Sequence, residues 1–240
     1  AYVDRERHSV AVHEACHAVA MYRLQHTSVI DVATIERRGD VGGFVSPIPL
    51  EDRFVQWRSE VEVDVMTFIA SLVGERMFYD GDHTQGVGGD VANATAIVTR
   101  SMLSHAMGNK LRAYNASMLA NSGLMPSGIP LVQGLSWEGE FANEVEQRLA
   151  ELYARTEEML RTHRFDVLAV AHALETYSTI SGDDVAAVIE QRRGPVVDGT
   201  VYGRDDFREA IEEYHRAAVE VHRVRHERPP ALPALPQAHV

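Results

Sequence analysis

The hydrophobic pattern of this chain predicts a mainly α fold carrying one small β-hairpin. Two observations carry that reading. Apolar residues recur at three- and four-residue spacing through most of the 240 positions, as helices that bury one face require. Only two short segments, 28–35 and 42–47, are instead β-rich, and they follow one another directly after the first helical stretch.

Composition narrows the function. A hydrophobic share of 45% is ample for a sizeable core. The net charge of −12, with no compensating basic stripe, argues against a nucleic-acid partner. A single cysteine excludes an internal disulfide and suits a reducing compartment, hence a cytoplasmic location or the cytoplasmic face of a membrane. There is no apolar run of about eighteen residues, the length a spanning helix needs.

The elements follow in order. Residues 4–25 read as a helix, since Val12, Cys16, Val19 and Ala20 form one apolar stripe and neither Gly nor Pro interrupts it. Ser28 to Ile35 alternates as a strand does, and Arg37 to Asp40 reads as a turn. Residues 42–47 form a second strand whose glycines and proline suit a sheet edge. Such an edge can pair with an extended peptide, or simply close a hairpin against the helix. From Asp52 to Tyr79 the spacing of Phe54, Trp57, Val61, Val65, Phe68 and Leu72 predicts a long helix, broken near Ser71 to Gly74. Residues 80–89 are a Gly-rich loop, with Asp90 capping a helix over 91–105.

Residues 113–136 are loop-like and could cover a cleft; helices follow over 137–164 and 166–176. Ser181 and Asp184 are spaced as a capping box that opens a helix to Arg192. Gly194-Pro195 marks a boundary, after which come an amphipathic helix over 205–225 and a Pro-rich tail expected to be disordered. The chain therefore divides into a domain over 1–193, a helical extension over 194–228 and a tail over 229–240. His222 and His226 also stand four apart, but their Arg-rich surroundings read as a solvated helix end.

The chemistry sits in the first helix, which reads His13-Glu14-Ala15-Cys16-His17. The four-residue spacing puts both imidazoles on one face, about 5–6 Å apart at Cβ. Two imidazoles so placed can each reach one zinc ion at about 2.0–2.1 Å. Glu14, beside the first ligand, can act as general base on an attacking water. The flanks Val10, Ala15, Ala18 and Val19 are small and apolar, so the helix is buried, where idle imidazoles and carboxylates are costly. A catalytic zinc takes three protein ligands and keeps one open position. Glu75, Asp80, Asp82, His83 and Asp90 are the downstream candidates. Glu75 lies in an apolar segment, where it would meet the metal, a ligand histidine's second nitrogen, or Arg76. Asp90 is a ligand or an ordinary N-cap. Spacing leaves the two level.

Together these residues resemble the peptidase domain of FtsH-type ATP-dependent zinc proteases, a zincin-like helical domain with a small edge sheet after the metal-binding helix. The similarity runs over about residues 4–192. The stretch Thr84-Gln85-Gly86-Val87-Gly88-Gly89-Asp90-Val91-Ala92-Asn93-Ala94-Thr95 is similar to the family segment whose aspartate is the third zinc ligand, which implies that role for Asp90. Residues 38–45, with Gly42, Gly43, Phe44 and Val45, look like the family's substrate-binding edge strand, and residues 157–168 and 173–185 like its closing helices. Cys16 stands where the family has glycine, Gly88-Gly89 where it has Ser-Asn, and the segment before Glu75 lacks its Gly-Arg pair.

The resemblance implies a zinc endopeptidase cutting unfolded or motor-delivered polypeptides, with His13, His17 and Asp90 on Zn²⁺, Glu14 as base and Glu75 beside a ligand. It further implies a homo-oligomer, a hexamer by family analogy, and an ATPase domain in cis or in trans, since neither a motor nor a membrane anchor lies in these residues. Two other readings fit the same residues: an inert assembly module, and a motor-less soluble zinc peptidase acting on short peptides.

Overall fold

The computed structural model describes residues 4–37, 42–111, 113, 139–223 and 230–236. Among them, seven α-helices and a three-stranded sheet follow the order α1 Asp4–Leu24, β1 Ser28–Thr34, β2 Phe44–Pro49, α2 Arg58–Phe78, α3 Val87–Ser104, α4 Glu140–Thr162, α5 Arg164–Tyr177, β3 Thr179–Ser181, α6 Gly182–Glu190 and α7 Asp205–Arg223. A short 3₁₀ turn covers Gly199–Gly203. The mainly α expectation and the hairpin after the first helix both hold. Residues 38–41, nearly all of the 113–136 loop, and His226 lie outside the described residues.

Helix α1 is the centre of the fold. Ala11, Val12, Ala15, Cys16, Ala18, Val19 and Ala20 are all fully buried, so this helix is covered on nearly every side rather than along one stripe. It packs mainly on α2 and α5. The sheet runs β2-β1-β3, both pairs antiparallel, with Thr34 opposite Phe44 and Ala33 opposite Ile180. β2 is thus an edge strand. β3 has no counterpart in the sequence reading, because three residues are too few to show alternation.

Three boundaries differ from expectation. α2 starts at Arg58 rather than near 52, and the expected inward stripe does not include Phe54 or Trp57, which are 102% and 70% exposed. Trp57 has extended backbone at the helix N-cap, where its N–H donates to the Glu60 carboxylate at 2.7 Å, so the residues before it never enter the helix. α2 also runs unbroken through Ser71–Gly74. α3 starts at Val87, which takes Gly88, Gly89 and Asp90 into its first turn; Asp90 is not the cap. The capping box at Ser181 and Asp184 forms as read, with Asp184 N–H donating to Ser181 Oγ at 3.2 Å.

Residues beyond Gly194 share the same interior. Tyr202, Phe207 and Ile211 are buried members of the common core. Part of the Pro-rich tail, residues 230–236, is placed against it instead of being disordered: His172 Nε2 lies 2.9 Å from the Pro233 carbonyl, and Leu235 packs on the core.

The α1–α2 contact depends on one glycine. A Cβ built on Gly74 would lie 2.1 Å from Cys16 Sγ, so the larger residue on α1 is matched by the absence of a side chain on α2. Gly74→Ala should destabilise the protein by about 1–3 kcal/mol through overpacking. Adding Cys16→Gly should restore most of it, and a urea-denaturation double-mutant cycle measures that coupling.

α7 is tied to α1 and α5 by buried polar groups. Glu175 Oε1 lies 2.6 Å from His8 Nδ1, Tyr214 Oη donates to Glu175 Oε2 at 2.7 Å, and His8 Nε2 meets His215 Nδ1 at 2.9 Å. Burial, with the neighbouring His8 and Arg164, lowers the His215 pKa from 6.5 to about 3 against a weaker pull from the Phe78 carbonyl. A buried neutral imidazole leaves the unfolded chain binding more protons, so its stabilisation is full above about pH 6.5 and lost as pH falls toward 3. The melting temperature should therefore drop between pH 7 and pH 5. His215→Gln should flatten that slope in the same thermal scans.

Candidate metal centre

Two antiparallel helices and the start of a third build the centre. As residue numbers rise along α1 they fall along the facing side of α2: His13 meets Glu75, His17 meets the Thr67 carbonyl, and Gln25 meets Asp64. On α2, Thr67, Ser71 and Glu75 recur every fourth residue, a polar line among the otherwise apolar residues that this helix buries. α3 then brings in Asp90 from its first turn.

The three expected ligands converge. Asp90 Oδ2 lies 3.3 Å from His13 Nε2 and 3.2 Å from His17 Nε2, and one donor atom from each residue falls within 4.8 Å of the others. Donors about 2.0 Å from a tetrahedral zinc would stand about 3.3 Å apart, so these separations are those of a zinc set. The other ring nitrogens are already engaged. His13 Nδ1 lies 2.7 Å from Glu75 Oε1 and His17 Nδ1 lies 2.8 Å from the Thr67 carbonyl. With those nitrogens as donors, both Nε2 lone pairs face Asp90. The residues present therefore fit a divalent metal.

Glu75 is buried and accepts from three donors. Besides His13 it takes the Thr84 N–H at Oε2 and the Thr84 hydroxyl at Oε1, 3.1 Å away. Thr84 Oγ1 also receives the Gly86 N–H, so one carboxylate orients a candidate ligand and anchors the segment leading to Asp90. Spacing had left Glu75 and Asp90 level; the distances put Asp90 at the convergence point and Glu75 behind His13. Ser71 donates to Asp90 Oδ2 at 2.8 Å and was missed from the sequence, although the Thr67-Ser71-Glu75 line was visible there. Cys16, fully buried against Gly74, is not in the triad.

The electrostatics ask for a cation. Three carboxylates, from Glu14, Glu75 and Asp90, surround two imidazoles. Burial alone would lower the His13 pKa, yet the Asp90 and Glu75 carboxylates push it up to about 10. Burial would raise Asp90, but the contacts with the His13 and His17 rings and the Ser71 hydroxyl hold it well below the usual carboxylate range. Glu14 goes the other way: burial raises its carboxyl, against the lowering effect of His17 and His13.

A cleft of about 400 Å³ opens on this cluster, lined by His13, Glu14, His17 and Asp90 at one end and by Gly43, Phe44 and Val45 of the edge segment. A Cβ on Gly43 would stand 2.7 Å from Glu14 Oε1 and 2.6 Å from the Thr34 carbonyl, so only glycine lets the strand approach the base this closely. Phe44 and Val45 open β2, with Gly42 and Gly43 just ahead of it.

A helix-borne His-Glu-x-x-His joined by a distant aspartate, with an edge strand beside the glutamate, defines a metallopeptidase of the helical type. The chain belongs to peptidase family M41, whose model matches residues 1–188, and is an FtsH-type peptidase domain. It is 29% identical over 195 residues to the ATP-dependent zinc metalloprotease FtsH 2 of Sphaerobacter thermophilus, covering 80% of this chain and 28% of that protein. It is 30% identical to the ATP-dependent zinc metalloprotease YME1L1 of Mus musculus, covering 80% and 26%. The FtsH protein of Acidimicrobium ferrooxidans is 29% identical, with 80% and 29% covered. The chain thus matches less than a third of the length of these relatives.

Glu75→Gln tests the support behind His13. A glutamine offers one carbonyl oxygen where His13 and Thr84 present several donors, so one of them must face an NH₂ group. Zinc affinity, measured by competition with a chromogenic chelator, should fall about 10–100-fold with the helical content retained.

Proposed function

We propose that this domain is a zinc-dependent endopeptidase that hydrolyses peptide bonds in extended polypeptide chains. The observation that carries this reading is the convergence of His13, His17 and Asp90 donor atoms within 4.8 Å, with Glu14 buried at the same end of an open cleft. His13, His17 and Asp90 would hold the ion. Bound there, zinc supplies Lewis acidity, which polarises a carbonyl and lowers the pKa of water toward about 7.

The chain's own groups do the rest. Glu14 takes a proton as water oxygen bonds to the scissile carbonyl carbon, and returns it to the amine nitrogen as the C–N bond breaks. Glu75 and the Thr67 carbonyl accept from the two Nδ1 atoms, which leaves each Nε2 free to take the ion that these residues would hold. Ser71 holds Asp90 in position. The edge at residues 42–45 would pair with the substrate's main chain, which gives affinity with little regard to side chains and suits unfolded chains. In this reading the domain works in a homo-oligomer and is fed by an ATPase in cis or in trans; the names of its longer relatives, which call them ATP-dependent, support the second of these.

Glu14→Gln preserves shape and removes the base. It should bind zinc stoichiometrically and lose casein hydrolysis by about 10²–10⁴-fold. Undiminished hydrolysis by this variant would overturn the assignment.

A further inference from the structure

The cleft does not end at the candidate metal centre. Down α1, His13 and His17 are followed on the same face by Met21 and Gln25, each one turn on; all four line the cleft. Across it, α2 contributes Phe68, Thr67 and finally Asp64. The walls between are apolar, but the far end is acidic. Among the described residues Asp64 receives only neutral amide donors there, Gln25 Nε2 at 2.8 Å on Oδ1 and Gln56 Nε2 at 3.0 Å on Oδ2. Gln25 is itself held by the Ser28 hydroxyl at 2.9 Å. No cation pairs with Asp64 among the described residues, and the nearby arginines are committed elsewhere: Arg53 to Glu60 and Arg58 to Glu62. This is a half-buried carboxylate, positioned by two amides at the end of an apolar passage and without a cationic partner among the described residues.

We propose that Asp64 is a specificity determinant, selecting substrates with a lysine or arginine side chain next to the scissile bond. The inference rests on the peptidase reading for its placement. Asp64 precedes Ser71, which touches Asp90, by seven residues, or about 10–11 Å along α2. A lysine's four-carbon stem, its ammonium-to-carboxylate contact and the Asp64 side chain together cross such a distance from a carbonyl lying at the triad, with the lysine's methylenes against Met21 and Phe68. A neutral side chain of equal length would leave Asp64 with its two amides alone. The acidic end also disfavours glutamate or aspartate at the same position.

Two measurements on the full chain test this. The first is binding of alanine-rich peptides to the zinc-loaded Glu14→Gln protein by fluorescence anisotropy, each peptide carrying one central lysine, norleucine or glutamate. Lysine should bind about tenfold or more tighter than norleucine, the scale of a hydrogen bond to a charged group. Asp64→Asn should bring the two together, and Asp64→Lys should favour glutamate. The second is kcat/KM for the same series with Glu14 intact, which should rank the peptides alike. Equal binding of lysine and norleucine, or a lysine preference that survives Asp64→Asn, overturns the proposal. If no peptide is cut but the lysine preference in binding disappears with Asp64→Asn, the subsite stands and the peptidase reading falls. Cutting without preference does the reverse.

Discussion

Glu75 is a carboxylate in the protein interior, and the hydrogen bonds that make its burial tolerable are the ones that assemble the site. An unpartnered charge there would cost several kcal/mol. His13 and Thr84 remove that cost, and in doing so they lock α1 to α2 and fasten the segment that delivers Asp90. The two demands of stability and chemistry fall on the same atoms. Ser71 extends the arrangement by one turn, so that a single polar line on α2 sets the direction of one imidazole and one carboxylate.

The packing around that line is correspondingly tight. α1 carries both histidines yet is covered almost all round, and its His13-His17-Met21 face is the one that lines the cleft. Small residues make this possible: Gly74 accepts Cys16, and Gly43 lets the hairpin lean on Glu14. The replacement of the family's glycine by Cys16 is therefore accommodated across the helix pair without disturbing the ligand face.

Local patterns were legible in the sequence and long-range ones were not. His13, Glu14 and His17 could be read because one helical turn relates them. Asp90 could not be chosen over Glu75 by spacing, since 73 residues separate it from His17 and a helix N-terminus favours aspartate anyway. Resemblance singled it out, and the distances agree. Phe54 and Trp57 misled because they fall in phase with the α2 stripe while lying outside the helix. The tail misled through composition: proline content says nothing of a single acceptor such as the Pro233 carbonyl, which His172 meets. Ser71 was readable in principle, as a small polar residue one turn before a buried glutamate.

The link between His8 and His215 spans 207 residues of sequence. It joins α1 to α7, which lies beyond the 1–188 stretch that the family model matches. Without α7, His8 would lose its His215 partner and Glu175 the Tyr214 hydroxyl. The helix that carries the candidate ligands is thus completed by a segment outside the family match, and a domain trimmed to that match would leave buried polar groups of α1 and α5 open.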